Sequence, residues 1–186
     1  MKLMIPDAPL SIRRLLIGGE ASVQGWEVLN ADPALPVDHI CNANDLSQFP
    51  DGTFAEIYAS HVLEHLDYMG ELQNALKEWR RILISGGTLY VAVPDLDVLA
   101  DLFRDKTALT EQERFIVMQM IFGGHQSKYD YHLVGLNMEF LGRFLQWAGF
   151  VDIRRVAKFG LFDDTSSMLY KGRLISLNMI ARKAGA

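Results

Sequence analysis

Apolar positions come as short unbroken runs in the first third of the chain and at helical spacing after it. Arg13–Ile17, Trp26–Ala31, Val37–Cys41 and Phe54–Ser60 are continuous rather than alternating, the pattern of strands covered on both faces. Pro50, Asp51 and Gly52 supply turn chemistry before the fourth run. Met69, Leu72, Leu76, Trp79 and Leu83 then recur three and four apart, which predicts an amphipathic helix. Gly86 and Gly87 are expected to end it, and Thr88–Val93 reads as a fifth strand stopped by Pro94. Two helices are predicted over Leu96–Phe103 and Thr110–Phe122, the second opening on a capping box of Thr110 and Glu113.

After the polar segment GGHQSKYDYHLVG, Asn137 is placed to cap a helix carrying Phe140, Leu141, Phe144, Leu145 and Ala148. The stripe of Phe140, Phe144 and Trp147 reads as core. Val151–Ala157 and Ile175–Ala181 are the last two strands, joined without a long helix and therefore antiparallel. Strand, helix and strand in alternation predict an α/β domain with a seven-stranded, mostly parallel sheet and helices on both faces. Only ten residues separate Gly19 from Asn30, so the first crossover has room for a turn or two of helix at most.

Length changes the picture little: 186 residues suit a single domain over 1–186. Within it, 13–102 forms a ligand-binding half, 103–136 a helical insertion over the site, and 137–186 a closing helix with two strands. The charge balance, 18 Lys and Arg against 23 Asp and Glu, gives no electrostatic footprint for nucleic acid. Arg80-Arg81 and Arg154-Arg155 read as solvated edges. The single cysteine, Cys41, excludes an internal disulfide and reads as a small buried residue in a reducing, cytoplasmic setting. No apolar run is long enough for a membrane span.

The chemistry lies where the strands end. Gly18-Gly19, Asp32, Asn44-Asp45 and Ser60-His61 follow successive strands, and a parallel sheet binds its ligand at those carboxyl ends. Paired glycines let backbone approach a ligand where a Cβ would collide, and a carboxylate can accept from both hydroxyls of a ribose. A dinucleotide reading is weaker: G-x-G-x-x-G is absent, and Asp32 follows Gly18 by 14 positions rather than about 20.

Five blocks in order carry a family resemblance. They are Ile17-Gly18-Gly19, Leu29-Asn30-Ala31-Asp32, Asp45-Leu46 with Phe49-Pro50-Asp51-Gly52, the run from Glu56 to His65 that ends in SHVLEH, and Glu78-Trp79-Arg80-Arg81 through Val93-Pro94-Asp95-Leu96-Asp97. Through them the chain resembles the class I S-adenosylmethionine-dependent methyltransferases of the type 11 kind, strongly over Arg13 to Leu102. The resemblance implies a Rossmann-like seven-stranded methyltransferase sheet, S-adenosylmethionine as cofactor and S-adenosylhomocysteine as product. It implies cofactor contacts from Gly18, Gly19, Asp32, Asp45, Leu46, Ser60 and His61. The implied partner is a small-molecule, sugar or lipid-linked acceptor, methylated on oxygen. One departure stands out: Glu20 occupies the position of the family's third glycine. With the short first crossover it keeps open a non-catalytic, scaffold descendant; an NAD-binding oxidoreductase is the remoter alternative.

His61 and His132 are the candidate general bases. The pentad His61-Val62-Leu63-Glu64-His65 also fits the H-x-x-E-H peptidase pattern, but it falls inside the methyltransferase block, and no metal is assigned. A structural role at the strand-helix corner is expected for Glu64 and His65, with a divalent cation at His61, Glu64 and His65 left open. The segment from His125 to His132 is expected to cover the acceptor, and Asp163–Ser167 to form a turn cluster or a lip of that site.

Overall fold

A computed structural model describes residues 12–185. Seven strands form one sheet, its two edge strands β3 and β6 largely exposed: β1 (Arg14–Ile17), β2 (Glu27–Asn30), β3 (His39–Ile40), β4 (Phe54–Ser60), β5 (Leu83–Pro94), β6 (Phe150–Val156) and, after a small β7–β8 hairpin (Leu169–Tyr170, Arg173–Leu174), β9 (Ser176–Lys183). Their order is β3-β2-β1-β4-β5-β9-β6. Strands β1 to β5 are mutually parallel, and β9 runs antiparallel to both β5 and β6. The seven-stranded sheet with one reversed strand is as expected; the β7–β8 hairpin was not.

Helices α1 (Glu71–Ile82), α2 (Leu96–Arg104), α3 (Glu111–Phe122) and α4 (Met138–Trp147) follow the predicted periodicities. Helix α1 stops earlier than its stripe suggests. Leu83 is already extended, and Gly86-Gly87 lie within β5, where the register against β4 jumps from Phe54–Leu83 to Glu56–Thr88. A Cβ on Gly87 would sit 2.9 Å from the Ile84 carbonyl, so these glycines serve a bulge rather than a helix end. The capping box of Thr110 and Glu113 and the Asn137 cap form as predicted.

One face of the sheet buries Ile17, Leu29, Ile57, Val91 and Met179 against Trp79 and Leu76 of α1 and Leu141 and Leu145 of α4. On the other face the cover is aromatic. Leu16, Val28 and Tyr58 pack there with Trp26, Tyr90, Phe159 and Phe162, the rings meeting edge to face. No helix residue belongs to that cluster among the described residues, and residues 18–26 cross from β1 to β2 without one. The loop between β6 and β7 takes the place of the missing helix. Tyr58 donates to Asp164 at 2.7 Å, and Asp164 caps a short 3-10 turn at Thr165–Ser167, so Asp163–Ser167 is a structural turn. Helices α2 and α3 form a separate small core with Ile175.

Two burial expectations are corrected. Phe140 and Trp147 are 44% and 54% exposed, because Leu141 and Leu145 give α4 its inward stripe and leave the neighbouring one outside. Cys41 is half-buried and accepts from Gln48 at 3.1 Å; burial pushes its thiol pKa up.

Candidate functional site

Because β1, β2 and β4 are parallel, their carboxyl ends open on one side, and a crevice of ≈ 610 Å³ lies there. Gly18 takes φ +87° as it leaves β1, a backbone conformation cheap only for glycine. Its amide donates to the Leu29 carbonyl at 2.8 Å. A Cβ at this position would meet the Val62 side chain at 2.6 Å, so Val62 closes over it. Gly19 has a different reason: its Cβ would strike Val28 at 2.7 Å and Leu16 at 2.9 Å on the aromatic-covered face. Asn30 donates to the Gly19 carbonyl at 2.9 Å and accepts from the Asp32 amide at 3.0 Å. That one side chain ties the β1 loop to the end of β2.

Of the expected cofactor residues, Gly18 and His61 line the crevice, whereas Gly19, Asp32, Asp45, Leu46 and Ser60 stand behind or beside its wall. Asp32 turns one carboxylate oxygen onto the Ala34 amide at 3.0 Å. Asp45 is exposed and held below its ordinary pKa by hydrogen bonds from Ser47. Leu46 is fully buried core. Asn30, Ala31, Ala43, Asn44 and Glu20 are the wall residues that stand next to them. Glu20, the departure from the glycine pattern, is thus itself a crevice residue.

The wall at residues 43–46 is braced from α1. The Trp79 indole donates to the Ala43 carbonyl at 2.7 Å in the buried interior. Arg81 donates to the Leu46 and Phe49 carbonyls at 2.9 and 2.8 Å and pairs with Glu78 and Asp51. Arg81 is therefore a structural clamp rather than a solvated edge.

At the end of β4 the chain bends sharply through His61, whose φ is +56°. Its Nδ1 lies 3.0 Å from Glu64 and its Nε2 2.9 Å from the Ser176 hydroxyl. Ser176 in turn donates to the Thr165 carbonyl at 2.8 Å. His61 Nε2 is thus hydrogen-bonded to Ser176 while Nδ1 faces Glu64, which places the ring in the crevice wall. Glu64 is 1% exposed. Burial raises its pKa, the His61 and His65 contacts lower it, and the contacts win. His132 lies behind the wall, its Nδ1 donating to the Ile121 carbonyl at 3.3 Å and its ring edge-on to His65 at 4.9 Å. Burial pushes the His132 pKa down against a smaller upward pull from Glu64.

The polar segment after α3 does close over the crevice: Lys128, Tyr129, Tyr131 and Leu133 line it. Asp130 gathers the segment into a compact loop by accepting from the Gly124 and Gln126 amides at 3.3 and 3.1 Å. Leu133 donates to the Glu64 carbonyl at 2.7 Å, and the Tyr129 hydroxyl donates to the Ala31 carbonyl at 3.2 Å. The loop is anchored at both rims.

Residues 23–91 match the family model of the methyltransferase domain, type 11. The chain has the class I, S-adenosylmethionine-dependent methyltransferase fold. Solved structures of methyltransferases superpose on nearly all of it. A SAM-dependent methyltransferase from Methanosarcina mazei is 17% identical with a TM-score of 0.57, covering 94% of this chain and 93% of that one. A SAM-dependent methyltransferase from Archaeoglobus fulgidus is 16% identical at TM-score 0.57, covering 92% and 86%. The CurJ carbon methyltransferase is 17% identical at TM-score 0.58; 96% of this chain is covered but only 50% of that protein. The chain thus spans half of that methyltransferase's length. No curated protein matches the chain significantly. No helix among the described residues is long and apolar enough to cross a membrane.

Proposed function

We propose that this methyltransferase-fold chain binds S-adenosylmethionine in the crevice and catalyses transfer of its methyl group to an oxygen of a small-molecule, sugar or lipid-linked acceptor. The observation that carries the reading is the crevice itself, at the carboxyl ends of β1, β2 and β4, with a polar loop anchored across it. Its size falls within the range of about 300–1,000 Å³ typical of small-molecule sites. The cofactor supplies an activated methyl carbon: a C–O bond forms as the C–S bond breaks, the electron pair passes to sulfur, and S-adenosylhomocysteine leaves.

The chain's own part is to bind, orient and exclude water. Gly18, covered by Val62 on its Cβ side, lines the crevice with its backbone, and Glu20 and Lys128 can hold the ammonium and carboxylate of the amino-acid end. The Asp32 oxygen not used by Ala34 is assigned to the ribose diol. Ala43 and Asn44, which line the crevice, with Asp45 and the Leu46 amide beside them, are assigned to the adenine, and His61, backed by Ser60, to the sulfonium. Holding donor and acceptor together in this way can supply roughly 7–11 kcal/mol of the barrier. The acceptor's proton goes to a group of the covering side. Tyr131 and Lys128 of the covering loop reach the crevice there, whereas His132 does not. The net charge of −5 favours a small acceptor over nucleic acid.

Calorimetry with S-adenosylmethionine and S-adenosylhomocysteine tests the reading. Both are expected to bind, and Asp32→Ala is expected to weaken them by more than about tenfold, or about 1.4 kcal/mol. Absence of heat with either ligand from a folded chain overturns it in favour of a non-catalytic scaffold. Thermal protection by NAD(H) instead points to the oxidoreductase.

A further inference from the structure

Glu64, His65 and His132 come from two segments far apart in sequence, the turn after β4 and the loop after α3. Their potential ligand atoms nevertheless lie within 4.8 Å of one another. We infer that these three side chains form a binding site for one divalent first-row transition-metal ion. Neither the methyl-transfer reading nor the cofactor assignment is needed for it.

The hydrogen bonds around the cluster are those a metal site requires. His65 donates its Nδ1 proton to the Tyr131 carbonyl at 3.1 Å, and His132 donates its Nδ1 proton to the Ile121 carbonyl. Each ring is thereby fixed in the tautomer whose Nε2 carries a free lone pair, the usual arrangement of a metal-binding histidine. The third group is a carboxylate with its charge buried. Both Glu64 oxygens are shielded from solvent and receive no well-directed hydrogen bond from the described residues. His61 Nδ1 lies 3.0 Å from Oε1. A buried carboxylate short of donors is costly unless a cation compensates it. With Oε1 held by His61, Oε2 is the oxygen left for the ion.

Two imidazoles and one carboxylate select the class of ion. Mg²⁺ and Ca²⁺ prefer all-oxygen shells, whereas imidazole suits Zn²⁺, Cu²⁺, Fe²⁺ or Ni²⁺, with Co²⁺ a spectroscopic stand-in for Zn²⁺. Bonds of about 2.0–2.2 Å require the ligand atoms to draw together by roughly an ångström. The His132 loop is tied to α3 through the Phe122 and Ile121 carbonyls and to the β4 corner through the Glu64 carbonyl, so the adjustment would fall to the side chains of Glu64, His65 and His132. The ion would clip the covering loop to the corner, and its remaining coordination positions would open beside His65 on the crevice wall.

The test uses tag-free chain stripped with EDTA and titrated with Co²⁺, followed by visible absorption and calorimetry without any methyl donor. One ion per chain with a visible d–d spectrum is expected, displaced by Zn²⁺ and not by millimolar Mg²⁺. His132→Ala and Glu64→Gln are expected to abolish the spectrum. His61→Gln, which removes a group holding a ligand rather than a ligand, is expected to weaken binding by about 10–100-fold. Should Glu64→Gln fail to fold, as a far-ultraviolet spectrum would show, His132→Ala alone decides. A wild-type chain that binds no Co²⁺, a His132→Ala variant that binds it equally well, or displacement by Mg²⁺ overturns the assignment.

Discussion

The hydroxyl of Tyr129 donates to the carbonyl of Ala31 at 3.2 Å, joining the covering loop to the tip of β2 across 98 positions of sequence. A single hydrogen bond of this kind contributes about 0.5–1.5 kcal/mol. Tyr129→Phe should therefore leave the fold intact and open the loop. In the proposed function, S-adenosylhomocysteine should dissociate several times faster from this variant, measured by stopped-flow fluorescence. An unchanged dissociation rate would show that the loop does not gate the crevice.

Gly18 is constrained twice, by its φ of +87° and by Val62. Gly18→Ala should cost about 1–3 kcal/mol in urea denaturation. Adding Val62→Ala should relieve the steric share only, so the double variant should stay below the Val62→Ala parent. Full recovery would mean that the backbone conformation carries no strain.

Trp79 holds the crevice wall from inside through the Ala43 carbonyl. Trp79→Phe leaves that carbonyl unpaired and a small void, for an expected loss of about 1–3 kcal/mol. Amide exchange at residues 43–46 should accelerate with it, while exchange in β9 should change little beyond the global loss.

Glu27 bridges Arg13 and His39, and the hydrogen bond from Arg13 brings its pKa down to about 2. A carboxyl depressed in the folded state stabilises above its unfolded pKa of about 4.5 and loses that contribution as pH falls through about 2. The melting temperature should therefore decline over that window, modestly because the partners are part-exposed. Glu27→Gln should flatten the decline; an identical slope would remove Glu27 from the acid response.

Much of this architecture is legible in the residues. Continuous apolar runs mark strands buried on both sides, and Thr110 and Asn137 announce their helices by cap chemistry. Other features depend on what packs from afar. Phe140, Phe144 and Trp147 form an apolar stripe as regular as that of Leu141 and Leu145, and periodicity cannot say which of two adjacent stripes meets the sheet. Gly86-Gly87 has the composition of a helix end; only the strand beside it makes it a bulge. The missing crossover helix leaves a gap that Phe159 and Phe162 fill from over a hundred residues away. At the site, Gly18 and His61 were readable because strand ends are. Asn30 and Glu20 were visible as letters but acquire their places from the turn of the chain around them. The meeting of His132 with Glu64 depends on a loop path that no local pattern encodes.

Among the described residues, strand β6 hydrogen-bonds to the sheet only through β9. Until the 176–183 segment slides between β5 and β6, the latter has no edge to join, and α4, which leads into β6, has half its platform missing. Joining of this half to the rest of the sheet therefore waits on the non-local pairing of β9 with β5, which is expected to set the pace. Mutations along the β5–β9 seam, such as at Val91 or Met179, should slow refolding, whereas those in β6 should mainly hasten unravelling.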